Sequence, residues 1–137
     1  NHYGPRLIVN DADAWSSNLL HGVTLKLSAP PVRALAAAMC SSLTLLSAEI
    51  EGRAYGGGVL KLETKEAERL AVPVLSTTSS GQLSREFQAV DRLRTAGDLE
   101  AAAALVDRIL ALDHSELWSA YETFRSRRLG RRERHRR

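Results

Sequence analysis

From Val32 to Ile50 apolar residues recur at offsets of three and four: Val32, Leu35, Ala36, Met39, Cys40, Leu43, Leu46 and Ile50. That spacing builds one face of an α-helix and has no use in a strand. Pro30-Pro31 opens the segment. Gly52 is placed to stop it, because glycine accepts the left-handed conformation that follows many helices. The pattern predicts a single long helix over 31–51. Its other face is small or polar (Ala34, Ala37, Ala38, Ser41, Ser42, Thr44, Ser47), so a second element can approach closely and the helix is expected to be covered on both sides. Only 5% of the 137 residues are aromatic, so the core must come from Leu, Val, Ile and Ala.

Around this helix the pattern changes character. Residues 6–9 form a short apolar run, residues 10–18 are turn-rich, and residues 19–27 alternate in part, with Val23, Leu25 and Leu27 against Thr24 and Lys26. Short strands are expected at 6–9 and 19–27. After Gly52, the run Arg53-Ala54-Tyr55-Gly56-Gly57-Gly58 reads as a glycine loop feeding a strand at 59–62. Thr64 is read as the cap of a short helix with acids in its first turn, ended by Pro73, and Val74-Leu75 as a brief strand. Ser76 to Gly81 has the composition of a linker. Beyond it three helices are expected: 83–95, 99–110 after a Gly97-Asp98 break, and one capped by Asp113 or Ser115 that carries Leu117, Trp118, Tyr121 and Phe124. The fold class is therefore α+β: short strands packed on a long helix with a glycine-rich loop, then a small all-helical C-terminal unit. The division is a mixed α/β segment at 1–75, a linker at 76–82, a helical unit at 83–129 and an Arg-rich disordered tail at 130–137. The first residue is Asn1, which reads as a truncated or processed chain.

The net charge of +3 hides an asymmetry. Residues 125–137 hold eight Arg and one acid, Glu133; removing that +7 leaves residues 1–124 at −4. Clustered Arg displaces counterions from a phosphate backbone, so Arg127, Arg128, Arg131 and Arg132 are candidate DNA contacts. A solvated, frayed terminus explains the same residues equally well. With one cysteine, Cys40, the chain has no internal disulfide, and its dispersed His and Cys give no metal-ligand spacing. Fifteen uncharged residues between Arg33 and Glu49 are too few for a membrane span of about 20 apolar residues. The expectation is a soluble, cytoplasmic chain with no membrane or metal partner.

Three consecutive glycines are conformationally expensive unless the backbone needs special angles or a close approach. A phosphate loop of the G-x-x-x-x-G-K-[ST] type is missing, and the glycines lead into a strand rather than a helix. Either a tight structural turn or a loop lying against a ligand remains. Arg53, Tyr55 and Lys61 beside bare backbone suit a nucleic-acid surface. Cys40 reads as a buried structural thiol, since no histidine lies near it in sequence. His114-Ser115-Glu116 invites a catalytic triad, but helix capping explains it better. Trp15, Trp118, Tyr121 and Phe124 read as packing residues.

Tyr55-Gly56-Gly57-Gly58-Val59-Leu60-Lys61-Leu62-Glu63, followed by Leu70-Ala71-Val72-Pro73, resembles a segment of adenine-specific DNA methyltransferases of restriction–modification and phage-defence systems. So do Asn18 to Val23, the Ser41-Ser42-Leu43 and Glu49 to Arg53 stretches, and the arginine-rich ending. The resemblance covers roughly residues 15–130. It implies a target-recognition part following a catalytic domain, with double-stranded DNA and that domain as partners and S-adenosylmethionine as the parent enzyme's cofactor. The family's Asn-Pro-Pro-Tyr-type motif is absent, since the Pro-Pro pair here is followed by Val32. No catalytic residue and no cofactor therefore carry over to this chain, which is expected to be inactive alone. The DNA-facing residues implied are Arg53, Tyr55, Gly56, Gly57, Gly58 and Lys61 with Arg127, Arg128, Arg131 and Arg132. The alternative is a helical interaction or assembly module without direct DNA recognition.

Overall fold

The computed structural model describes residues 4–134 apart from 18–19, 27 and 56–57, with side chains described up to residue 130. The elements are α1 (Val32–Ala38), α2 (Ser42–Glu51), β1 (Arg53–Tyr55), β2 (Val59–Lys61), α3 (Thr64–Ala67), α4 (Thr77–Thr95), α5 (Leu99–Leu110) and α6 (His114–Arg134). Among the described residues the two strands form one antiparallel hairpin and everything else regular is helical. The class is compatible with α+β, but helix dominates it.

The helix expected over 31–51 is two helices, α1 and α2, bent by 68°. Local capping causes the break. The Ser41 hydroxyl accepts the Thr44 amide at 3.2 Å, and the buried Asp107 carboxylate of α5 accepts the Ser42 amide at 3.0 Å. Two orphan amides of a new helix start are thus satisfied, and the carboxylate lies at the positive end of the α2 dipole. The bend sends the helices to different partners: α1 packs on α4, α2 packs on α6, and α5 contacts both systems.

Both faces contribute to the core: Ala36 and Cys40 of the expected apolar face are buried, and the small face is covered as expected, while two of the large apolar residues stay exposed. In α1 the small residues Ala34, Ala37 and Ala38 are completely buried, whereas Val32 is 41% exposed. In α2 Leu45, Ala48 and Thr44 are buried while Ile50 is 55% exposed. Alanine lets α4 approach the α1 backbone, and close packing of this kind outweighs the area advantage of the larger side chains. One core joins Ala34, Ala37, Ala38 and Cys40 to Leu83, Val90, Ala102 and Val106. A second joins Leu45, Leu99, Ala103 and Tyr121. Cys40 lies in the first core, and burial pushes its thiol up, away from the reactive thiolate.

Other boundaries move for identifiable reasons. The stretch predicted as a linker over 76–82 belongs to α4, which Ser76 caps by accepting the Ser79 amide at 3.1 Å. Gly52 ends α2 in an extended conformation (φ −76°), not a left-handed one; a side chain is excluded there because a Cβ would lie 2.6 Å from both the Ala48 carbonyl and Leu60. The cap of α3 is Glu63 rather than Thr64, through a reciprocal box with Glu66, and α3 ends well before Pro73. Asp98 caps α5, and Asp113 caps α6 by accepting the Glu116 amide at 3.0 Å. Helix α6 continues through Arg134, so the tail predicted as disordered from residue 130 is helical that far; residues 135–137 lie outside the described residues. The strands expected at 6–9, 19–27 and 74–75 are not formed by the described residues there. Among the described residues no single helix is long and apolar enough to cross a membrane, although the bent α1–α2 pair meets the criterion by length and composition.

The buried small face makes a stability prediction. Ala37→Leu forces a large side chain into the α1–α4 contact and should cost about 1–3 kcal/mol. Ile50→Ala should stay within about 0.5 kcal/mol. Urea unfolding of both variants checks this; equal effects would show that the small face is not the packed one.

Candidate nucleic-acid interface

In the hairpin Arg53 pairs with Lys61, Ala54 with Leu60 and Tyr55 with Val59. Alternation along a strand places Arg53, Tyr55, Val59 and Lys61 on one face. The opposite face carries Leu60, which is buried beside Gly52. The three side chains singled out from sequence, Arg53, Tyr55 and Lys61, are therefore brought together and exposed. The Lys61 ammonium sits 4.8 Å from the Tyr55 ring centroid, within cation–π range.

Their charge is already answered locally. Arg53 meets Glu66 at 2.6 Å and Glu63 at 3.8 Å, and Lys61 meets Glu63 at 3.2 Å. The Glu66 contact raises the Arg53 pKa, and the Glu63 contact does the same for Lys61. Desolvation pushes the Glu66 carboxyl up, but Arg53 and the helix-start amides outweigh it and hold it below the usual carboxylate range. Two cations and two carboxylates leave this face with little net charge.

The glycine loop closes the hairpin. Gly56 and Gly57 lie outside the described residues. Gly58 has φ +73°, a conformation that favours glycine, and a Cβ there would lie 3.0 Å from the Leu129 side chain. Helix α6 reaches the residue before β2: the Arg128 guanidinium donates to the Gly58 carbonyl. The same guanidinium forms a fork with Glu49 of α2, two bonds of 2.7 Å each, with the side chains 5% and 1% exposed.

Arg128 thus departs from its expected role. It is enclosed, paired and not available to a phosphate in this structure. It ties α2, α6 and the glycine loop to one another, so it is a positioning residue. Arg127, one residue away, is exposed with its guanidinium 5.7 Å from the Phe124 ring. Arg131 and Arg132 lie near the end of α6, with side chains outside the described residues. Cations at a helix C-terminus are favoured by its dipole, which supports helix in this basic stretch. Sequence reasoning missed Glu49; the available signal was the acid that ends the uncharged run after Arg33.

The expected packing aromatics divide. Tyr121 is fully buried, with its hydroxyl pKa raised by desolvation, and Trp118 stacks on His114 and meets the Tyr121 ring at a tilt of 48°. Trp15 is 101% exposed and Phe124 38% exposed, which corrects their assignment as packing residues. His114 does join a serine and an aspartate, but neither is its sequence neighbour and the geometry is not that of a triad. Its Nδ1 is 2.8 Å from Asp107 and 3.2 Å from the Ser42 hydroxyl. A nucleophilic relay needs the carboxylate on one ring nitrogen and the serine on the other. Here both compete for one nitrogen, so the cluster is the packed junction of α2, α5 and α6. Among the described residues no group of three His, Cys, Asp or Glu is arranged to hold a metal ion.

The Arg128 fork predicts a non-additive mutant series. Arg128→Ala leaves Glu49 as an uncompensated buried charge and should destabilise by about 3–5 kcal/mol. Glu49→Leu combined with Arg128→Met should recover most of that stability. Chemical denaturation of the singles and the double decides it; a double mutant as unstable as the two singles summed would contradict the pairing.

Residues 1–111 match the family described as Type II methyltransferase M.Eco57I, C-terminal domain. The chain is also similar to Type II methyltransferase M.XamI from Xanthomonas campestris pv. amaranthicola, at 40% identity over 75 residues, covering 52% of this chain and 13% of that relative. The chain thus spans only a small part of the curated relative's length. No solved structure matches it. A match over most of the chain settles the assignment: this chain belongs to the family of the Type II methyltransferase M.Eco57I C-terminal domain.

Proposed function

We propose that this chain is the DNA-facing target-recognition part of an S-adenosylmethionine-dependent, adenine-specific DNA methyltransferase of a restriction–modification system. The carrying observation is the contact of α6 with the glycine loop through Arg128 and Leu129. It joins α6, three residues before Arg131, to Gly58 at the start of β2, the strand that carries Lys61. In this reading the loop backbone approaches the duplex, Tyr55 supplies a flat surface, and Arg53, Lys61, Arg127, Arg131 and Arg132 contact phosphates. Phosphate contacts fix position and register, while base edges carry the sequence information.

The cofactor belongs elsewhere. The glycines here connect two antiparallel strands, whereas the expected cofactor loop joins a strand to a helix N-terminus. These residues do not fit S-adenosylmethionine, so methyl transfer is assigned to the catalytic part of the parent enzyme. Its partners are that part and double-stranded DNA, and its compartment is the cytoplasm.

Because Glu63 and Glu66 offset the hairpin cations, most long-range attraction should come from the end of α6. Removing residues 131–137 spares Arg128 and the loop it holds. In a fluorescence-anisotropy salt series on duplex DNA, that truncation should flatten the slope of log affinity against log salt by about 0.9 for each phosphate that is no longer neutralised. Lys61→Ala should weaken binding further. No binding at low salt, or affinity independent of salt, would contradict the reading.

A further inference from the structure

Trp15 is displayed in a way that folding of this chain alone does not explain. It follows a turn closed by Asn10, whose side chain donates to the Ala14 carbonyl and accepts the Ala14 amide, both at 2.9 Å. Asp13 within the turn adopts φ 51°. The turn is tethered to the body by Asp11, which meets Arg33 beside the start of α1 at 3.0 Å. Further along the same segment His21 contacts the Leu62 carbonyl at 3.0 Å, and before it Arg6 contacts Asp91 and Arg94 donates to the Pro5 carbonyl at 2.8 Å. Polar groups thus hold the segment down while its apolar groups face outward: Trp15 at 101%, Ile8 and Val23 at 61% and Leu20 at 55% exposure. An exposed Trp on a pinned turn has the form of an interface anchor, since Trp is enriched among residues that dominate binding energy and large exposed apolar groups mark interaction sites.

We infer that the Asn10–Trp15 turn is a docking element that seats Trp15 in an apolar pocket of the catalytic part of the methyltransferase. The inference rests on the functional reading above. Two observations select this occupant. The turn lies inside the matched family segment, and the chain covers only 13% of its M.XamI relative, so most of such an enzyme lies outside it. DNA is disfavoured by charge: between Leu7 and Leu25 there is no Lys or Arg, and Asp11 and Asp13 lie within the turn. A phosphate backbone would be repelled there.

Hydroxyl-radical footprinting of Trp15, read by mass spectrometry, tests this. Three samples are compared: this chain over a concentration series, this chain with duplex DNA, and the whole methyltransferase. Trp15 should be oxidised freely in the first two and protected about tenfold or more in the third. Undiminished oxidation in the whole enzyme overturns the inference. So does protection that grows with concentration, which would mean a second copy, or protection by DNA. Failure of the chain to bind DNA at all would strike the functional reading while leaving Trp15 protection measurable by itself.

Discussion

The guanidinium of Arg128 lies where water scarcely reaches and meets three acceptors, the two oxygens of Glu49 and the carbonyl of Gly58. A buried charge is tolerable only when its partner and geometry are this complete. The fork sets where α6 lies on α2, and its remaining donor sets where the glycine loop lies on α6. Gly58 adopts φ +73°, and the Leu129 side chain lies close to where a Cβ would stand. The shape of the exposed hairpin face follows from an interaction hidden beneath it.

A second polar junction shapes the rest. Asp107 is buried in α5, yet it caps α2 and holds His114 at the start of α6. One carboxylate thereby fixes the break between α1 and α2 and the docking of three helices. Both junctions use acidic residues inside a core built mostly of alanine, leucine and valine. Alanine-rich helices can slide along one another, and hydrogen-bonded charges supply the register that small apolar side chains leave open.

What the sequence revealed followed from local rules. Apolar spacing and caps located α5 and α6, the Tyr55 to Glu63 stretch pointed to a glycine-linked strand, and its cations fell on one face because strands alternate. What it concealed was tertiary. The spacing pointed to burial on both sides of α1 and α2, but not to the exposure of Val32 and Ile50, which depends on where the bend sends each helix. Ser76 to Gly81 reads as a linker by composition, yet Ser76 caps a helix that packs on α1. Arg128 looks like its neighbours in a basic run, and helical rotation alone separates it from the exposed Arg127. The charge cancellation by Glu63 and Glu66 is equally invisible in the sequence, because it needs the hairpin register and α3 to bring them together.

Hydrogen–deuterium exchange of the whole methyltransferase, with and without a duplex carrying its recognition site, most directly tests whether the hairpin and the end of α6 form one DNA-facing surface. The account predicts that DNA slows exchange together across residues 53–61 and 127–134, and that Glu49→Leu with Arg128→Met weakens this joint protection at the loop. Protection elsewhere in the chain with both segments unchanged would contradict it.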